Sequence, residues 1–405
     1  MKLLLVSPHF FPENFKCNDL AFELAAKGHD VTVLSDIPNY PQGKYFKGYS
    51  LFCRRKEVVN GVTVYRAIVI PRGKATAVRL AFNYASFVLF ASVIALYLAF
   101  FKKFDAVIVH ETSPITVGIP ACIVKKIQRI PMLFWVLDLW PESLSAAGGI
   151  ENKQVIGFFT WLTKRIYHNS DKILISSKGF EQSIREKGPF ADKIHYYPNW
   201  ADRALGEKKE YTLPEMPEGF IVMFAGNIGE AQDFDHLMEA ARLLKEETGI
   251  HFVLVGDGRK RPWVEDFIAR HSLEKTVHWV GRHPLEAMPV FFARANAMIV
   301  SLKDQLIFNL TAPAKIQAYM SAGKPIVMMQ NGEGPRIIRE ADCGYAVPAG
   351  DAAGFAELIR KMAQMPAEEL ERMGASGKAY CQEHFQLDKS IDQMCQWLDE
   401  VAGRK

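Results

Sequence analysis

The chain is poor in cysteine, and the six it has are scattered. Cys17, Cys53, Cys122, Cys343, Cys381 and Cys395 form no CxxC pair. Neither a disulfide framework nor a zinc site is therefore expected, and a reducing cytoplasm fits best. An excess of one charge is missing too: 49 basic against 45 acidic residues leave +4, too little for the electrostatic footprint of a nucleic-acid binder. Repeats and low-complexity tracts are absent. The opening Met1-Lys2-Leu3-Leu4-Leu5-Val6 is an apolar run cut off by Ser7-Pro8-His9, too short for a secretion signal, and it reads as a first strand.

What is present is a chain of 405 residues, 49% apolar, long enough for two domains. A strand at 2–7, a helix near 18–27, Gly28 at the helix end and a strand at 31–35 make a βαβ unit of the doubly wound type. Further strands are expected at 62–70, 106–110, 132–137, 172–176 and 193–197. The pattern restarts at 220–225 and continues at 251–255, 277–280, 297–301 and 325–329. The polar stretch 201–219 reads as a linker. This is an α/β chain with two doubly wound Rossmann-like domains, 1–203 and 204–385. A last segment, 386–405, is expected to pack back across the linker as a helix.

Leu80–Phe101 carries no charge, with Arg72, Lys74 and Arg79 before it and Lys102 and Lys103 after it. As a helix it would reach about 33 Å, enough to cross a bilayer. The strands on either side belong to one sheet, and a single crossing would separate them. Two readings stay open: a crossover helix in the domain core, or a helix lying on a membrane surface with its basic flanks on anionic headgroups.

The most informative stretch begins at Thr311-Ala312-Pro313-Ala314-Lys315 and runs through Gln317 into Gly323-Lys324-Pro325-Ile326-Val327. A Thr and Pro at a helix start leave the first N–H groups free beside Lys315, a setting for a phosphate or pyrophosphate. Two glycine-bearing turns follow other strands: Gly226-Asn227-Ile228-Gly229 with Gln232 downstream, and Gly256-Asp257-Gly258-Arg259. Glycine there permits close approach by a phosphate or sugar. Together these segments resemble glycosyltransferase family 4, whose members have the two-domain GT-B fold with the domains facing a cleft.

The resemblance implies a nucleotide-sugar donor on the second domain, UDP-linked, as substrate; no cofactor is expected. Gly226, Asn227, Gly229, Gln232, Gly256, Arg282, Lys303, Thr311, Ala314 and Gln317 would contact it. Lys315 and Arg259 would neutralise the leaving diphosphate. This chain departs from the family pattern at Asn227 and Gln232, where Arg and Lys are usual, and at Leu310 and Ala318, where two glutamates are usual. No acidic pair stands where a metal would bridge the phosphates, so metal-independent transfer is expected.

On the first domain, Pro8-His9-Phe10-Phe11-Pro12-Glu13-Asn14 follows strand one, and Asp138-Leu139-Trp140-Pro141-Glu142-Ser143 follows another strand at the same edge. The latter is similar to a run in the subgroup that builds bacterial surface polysaccharides, including fucosamine and colanic-acid transferases. Asp138 and Glu142 would orient acceptor hydroxyls or stabilise positive charge on the sugar, or simply cap a helix. His9, Glu13, Asn14, His110 and Glu111 are the other acceptor-side candidates.

The function implied is retaining transfer, of an N-acetylated amino sugar in one version, to a saccharide on undecaprenyl pyrophosphate. It would take place at the inner face of the cytoplasmic membrane, during O-antigen, capsule or exopolysaccharide assembly. A nucleotide-sugar 2-epimerase of the same fold and a non-catalytic assembly partner are the alternatives.

Overall fold

A computed structural model describes residues 1–74, 76–144, 149, 151–206 and 210–403. Residues 207–209, inside the stretch read as a linker, lie outside the described residues. The chain divides into two compact units, Met1–Pro198 with Leu387–Lys405, and Asn199–Gln386.

The first unit is built on strands β1 (Lys2–Val6), β2 (Asp30–Asp36), β3 (Lys56–Val59), β4 (Val62–Ala67), β5 (Ala106–Glu111), β6 (Met132–Val136), β7 (Lys172–Ile175) and β8 (Ile194–Tyr196), in the order β3-β4-β2-β1-β5-β6-β7-β8. All pairs are parallel except β3 with β4. That hairpin turns on Asn60-Gly61, both at positive φ, as a tight two-residue turn demands.

Helices α1 (Lys16–Ala26), α2 (Ala77–Phe101), α3 (Gly118–Gln128), α4 (Lys153–Asn169) and α5 (Phe180–Lys187) connect the strands. Parallel crossovers are right-handed. From β4 onward each crossover steps toward β8, so α2 to α5 cover one face of the sheet. The step from β1 to β2 runs the other way and puts α1 on the opposite face.

The second unit has β9 (Phe220–Ala225), β10 (Ile250–Val255), β11 (Val277–Gly281), β12 (Ala297–Ser301), β13 (Ile326–Met329) and β14 (Gly344–Val347), in the order β11-β10-β9-β12-β13-β14. Its helices are α6 (Phe234–Leu243), α7 (Arg261–His271), α8 (Met288–Arg294), α9 (Leu306–Leu310), α10 (Ala314–Ser321), α11 (Glu333–Glu340), α12 (Ala352–Ala363) and α13 (Ala367–His384). Ile221, Met223 and Ala225 face one core, while Val222 and Phe224 face the other. This is the period-two signature of a strand buried on both sides.

The described residues on either side of 207–209 belong to the second unit: Leu205 is buried in its core, and Leu213 and Met216 pack against it. The last helix, α14 (Leu387–Val401), belongs to the first unit, where the Trp397 ring lies 5.5 Å from that of Tyr197.

Helix α2 is neither wholly core nor wholly surface. Asn83, Ser86, Phe87, Ala91, Ala95, Leu98 and Ala99 are buried, whereas Val78, Phe82, Leu89, Val93, Leu96, Tyr97, Phe100 and Phe101 are exposed. The exposed positions recur at three and four, so they form one stripe. The helix joins β4 to β5 of one sheet, so it cannot cross a bilayer without parting them.

Candidate functional site

In both sheets the strand order reverses direction at one point, between β1 and β5 and between β9 and β12. Loops at the carboxyl ends of strands flanking such a point splay apart and leave room for ligands. Most of the residues singled out in the sequence lie there.

In the second unit, the loop after β9 is tied to the end of β12: Ser301 Oγ donates to Gln232 O at 2.6 Å, and Lys303 N to Ala231 O at 3.0 Å. The loop after β10 runs alongside it, with Ile228 N donating to Asp257 O at 2.9 Å and Lys260 N to Ile228 O at 3.0 Å. Lys315, in the first turn of α10, enters this corner. Its ammonium lies 3.6 Å from the centre of the Phe224 ring and donates to Gln232 Oε1. Desolvation pushes its pKa well below the ordinary lysine value. A charge so poorly hydrated favours an anionic partner.

The structure thus brings Lys315, Gln232 and Gly226 together. Around them runs a mixed-charge net in which Lys303 pairs with Glu230, and Lys260 with Asp235. Bonding to Glu230 holds the Lys303 pKa above its ordinary value. Lys260 was not singled out from the sequence; it sits in a basic triplet where nothing distinguishes it from Arg259.

Several expectations need correction. Gly226 and Gly256 do not open space for a ligand at their Cα positions. A Cβ on Gly256 would lie 1.9 Å from Gly226 O, and one on Gly226 would lie 2.9 Å from Lys315 Cε. Their role is to let two loops and a lysine pack tightly. At Gly229 an added Cβ would meet the Asn227 amide.

The helix begins at Ala314, and Thr311 precedes it as the residue closing α9. Thr311 Oγ1 donates to Ile307 O at 2.7 Å, so this hydroxyl is already engaged. Gln317 is buried, and its amide nitrogen, oriented by the hydrogen-bond network, donates to Ala314 O and Pro313 O. It braces the helix start. Arg259 and Arg282 are exposed, as are Asn227 and Ala314.

In the first unit the candidates are buried and locked. His9 Nδ1 lies 2.8 Å from Glu13 Oε2, whose partner oxygen accepts from Asn39 N at 2.6 Å and Tyr40 N at 2.5 Å. Arg72 Nη2 reaches His9 Nε2 at 2.8 Å. Burial depresses the His9 pKa despite Glu13, so the neutral ring accepts from Arg72.

His9, Glu13 and Asp36 have ligand atoms within 4.8 Å of one another. Arg72 already holds His9, and the loop N–H groups of Asn39 and Tyr40 already hold Glu13. A metal would have to displace them.

Asn14 is exposed. The loop is shaped instead by Asn18, which accepts from Phe11 N at 3.0 Å and donates to Glu13 O at 2.7 Å.

His110 Nδ1 meets Ser7 Oγ at 3.1 Å, and burial pushes its pKa down to about 3. Glu111 is fully buried at the end of β5, with Oε2 accepting from Asp138 N at 3.4 Å and Oε1 without a partner. Desolvation, then the nearby Asp138, raises its pKa well above the carboxylate range. Asp138 accepts from Ser143 Oγ and from Trp140 Nε1 at 3.1 Å, which is helix-start bracing.

Glu142 accepts from Lys187 Nζ at 2.6 Å and Ser183 Oγ at 2.5 Å. It is an anchor for α5 rather than a free acid. Lys187 was missed in the sequence, since a pairing 45 positions away leaves no local mark.

Residues 16–200 match the family model "Glycosyl transferase 4-like domain", and residues 219–365 match "Glycosyl transferases group 1". WbjE of Pseudomonas aeruginosa, named as a glycosyltransferase, is 27% identical over 270 residues, which cover 62% of this chain and 64% of that relative. WcaI of Escherichia coli, named as a colanic acid biosynthesis glycosyl transferase, is 25% identical over 342 residues, covering 80% of this chain and 82% of the relative.

Among solved structures, Anabaena HepE in complex with UDP superposes with a TM-score of 0.72 at 13% identity, covering 99% of this chain and 100% of that one. Sucrose-phosphate synthase of Thermosynechococcus elongatus gives 0.76 at 16%, covering 99% of each chain. Such identities speak for the fold alone. With its two halves matched by these two models, the chain belongs to glycosyltransferase family 4 and has the GT-B fold.

Proposed function

We propose that the chain transfers a sugar, with retention, from a UDP-sugar to a saccharide on a lipid pyrophosphate during assembly of a bacterial surface polysaccharide. An N-acetylated amino sugar is one form of that donor. The polysaccharide reading is supported by the E. coli relative's name, and the nucleotide reading by the UDP in the HepE complex. The single observation that carries the chemistry is Lys315, a poorly hydrated ammonium at the start of α10 beside the Gly226 turn.

When the bond to the sugar breaks, the diphosphate gains negative charge. A fixed cation there, with the Gln232 amide and the free N–H groups of the α10 start, stabilises that charge more in the transition state than in the ground state. Retention then needs no protein nucleophile: the acceptor hydroxyl attacks the face the diphosphate is leaving and hands its proton to a diphosphate oxygen. Such a mechanism depends on acceptor positioning, for which His9, Glu13, Glu111 and Asp138 provide a rigid floor in the first unit. The lipid-bearing acceptor suits a chain whose α2 stripe lies on the cytoplasmic face of the membrane.

The test is a ligand-shift screen over nucleotide sugars, followed by turnover with lipid-linked acceptors and NMR of the product's anomeric configuration. Retained configuration, with activity within twofold in excess EDTA, is expected. Inversion, or activity restored only by Mg²⁺ or Mn²⁺ after chelation, would refute that part of the mechanism. Free epimer formed without acceptor would instead identify an epimerase.

A further inference from the structure

Helices α2, α3 and α4 are consecutive crossovers on one face of the first sheet. Gln128 at the end of α3 donates to Ala99 O at 2.9 Å and to Lys102 O at 2.6 Å, so α3 closes the end of α2. Against α4, α3 packs through Gly118, where an added Cβ would lie 2.8 Å from Ile166. The three form a continuous layer. Not one of their 25, 11 and 17 residues is Asp or Glu, in a chain holding 45 acids. At that frequency several would be expected by chance. Elsewhere the first unit's helices are acidic in part: α1 carries Asp19 and Glu23, and α14 carries Asp388, Asp392, Asp399 and Glu400. The next crossover, α5, has Glu181 and Glu186 and marks the edge of the acid-free layer.

The outward side of this layer is apolar as well as cationic. The α2 stripe is continued on α3 by Ile127, which is 40% exposed, and on α4 by Phe158 at 55% and Trp161 at 52%. These last two rings are 6.0 Å apart, and the Arg165 guanidinium lies 5.7 Å from the Trp161 ring. Lys103 follows α2, Lys126 closes α3, and Lys164 adjoins Arg165 on α4, while Lys102 turns back to Thr32 and Lys125 pairs with Asp171 at 2.5 Å. A protein partner would commonly leave mixed charge at such a rim. A rim in which Lys103, Lys126, Lys164 and Arg165 outnumber Glu151 and Asp171, around exposed aromatic and aliphatic side chains, suits an anionic bilayer, whose headgroups attract lysine and arginine and whose interface favours tryptophan.

We infer that the membrane contact is the whole α2–α3–α4 face, with Phe158 and Trp161 of α4 as a second anchor that fixes how the first unit lies on an anionic bilayer. This rests on the membrane reading of α2 and adds to it a partner chemistry and a second point of attachment.

The test is co-flotation of the full chain with vesicles of phosphatidylglycerol and phosphatidylethanolamine, beside vesicles of phosphatidylcholine alone. Phe158→Ser with Trp161→Ser, and separately Lys164→Glu with Arg165→Glu, should each weaken binding to the anionic vesicles roughly tenfold or more. The charge pair's effect should vanish in high salt. Circular dichroism and unchanged melting establish that the variants fold, and α4 residues this exposed should tolerate the changes. Val93→Glu with Phe100→Glu on α2 provides the comparison. Loss with the α2 pair but wild-type flotation by both α4 pairs would overturn the second anchor and leave the α2 reading standing. A wild-type chain that ignores anionic vesicles would overturn both.

Discussion

The two units share a doubly wound parallel sheet and a topological switch point, yet they treat polar side chains there in opposite ways. In the first unit His9, Glu13, His110, Glu111 and Asp138 are buried or half-buried and braced by backbone or hydroxyl groups. In the second, Lys260, Lys303 and Lys315 converge on a loop corner with Gln232; Glu230 and Asp235 pair with the first two, and among the described residues Lys315 has only the Gln232 amide as hydrogen-bond partner. A floor of fixed hydrogen bonds defines a shape. A desolvated lysine set beside two ion-paired ones defines a cation waiting for its partner. The difference suits an acceptor that must be positioned and a donor whose leaving group must be neutralised.

The sharpest break of this comparison is at Gly256. Gly256→Ala forces a Cβ to 1.9 Å from Gly226 O at a φ of +145°, so the unfolding free energy should fall by about 4 kcal/mol or more. Gly157→Ala in α4, where an added Cβ meets nothing within 4 Å, should stabilise by up to about 1 kcal/mol. Urea unfolding of both variants measures the contrast; equal effects would mean the loops after β9 and β10 do not pack as described.

Next in size is Glu142→Ala, which leaves the Lys187 ammonium buried without its carboxylate. A loss of about 3 kcal/mol in stability is expected, with KM and kcat of the folded fraction nearly unchanged. A fall in kcat without a fall in melting temperature would return Glu142 to the acceptor site.

Lys315→Ala should lower kcat roughly 10²-fold, by analogy with loss of one oxyanion donor, and weaken donor binding far less. Lys315→Met should do the same while raising stability by about 1 kcal/mol, since it removes a desolvated charge. The sign of the pH effect follows. The folded pKa lies below the unfolded one, so between them the unfolded chain binds more protons, and stability rises with pH as the native lysine is neutralised. A melting temperature that falls between the folded and unfolded pKa values, or a Lys315→Met variant that melts lower, would contradict a poorly solvated ammonium. Smallest of all, Arg259→Ala should leave kcat/KM within about twofold, because the side chain is exposed. A tenfold loss would move the leaving-group role from Lys315 to Arg259.

Strands buried on both faces were legible because continuous apolar runs survive any context; β9 and β12 stand at the bounds read from sequence. β3 and β14 were not read, being short and only partly buried, although Asn60-Gly61 is a hairpin signal. Lys315 was legible from its place after Pro313. The roles of Gly256 and Gln317 were not, because what a glycine or a buried amide touches is decided by loops far away in sequence. α2 was half legible: composition made it membrane-like, but the buried face through Leu98 emerges only when β2 and β4 are placed beneath it.

The thiols carry a practical consequence. Cys17 and Cys343 are buried and pushed up to about 12, and Cys122 and Cys381 to about 11. Cys395 is half-buried and also raised. Cys53 alone is exposed, next to Phe52, which is 93% exposed. Alkylation rates follow thiolate fraction and access, so a maleimide added at neutral pH should mark Cys53 and spare the rest until the chain opens. The native sequence thus carries one ready attachment point for a fluorophore or spin label, and five silent reporters of unfolding.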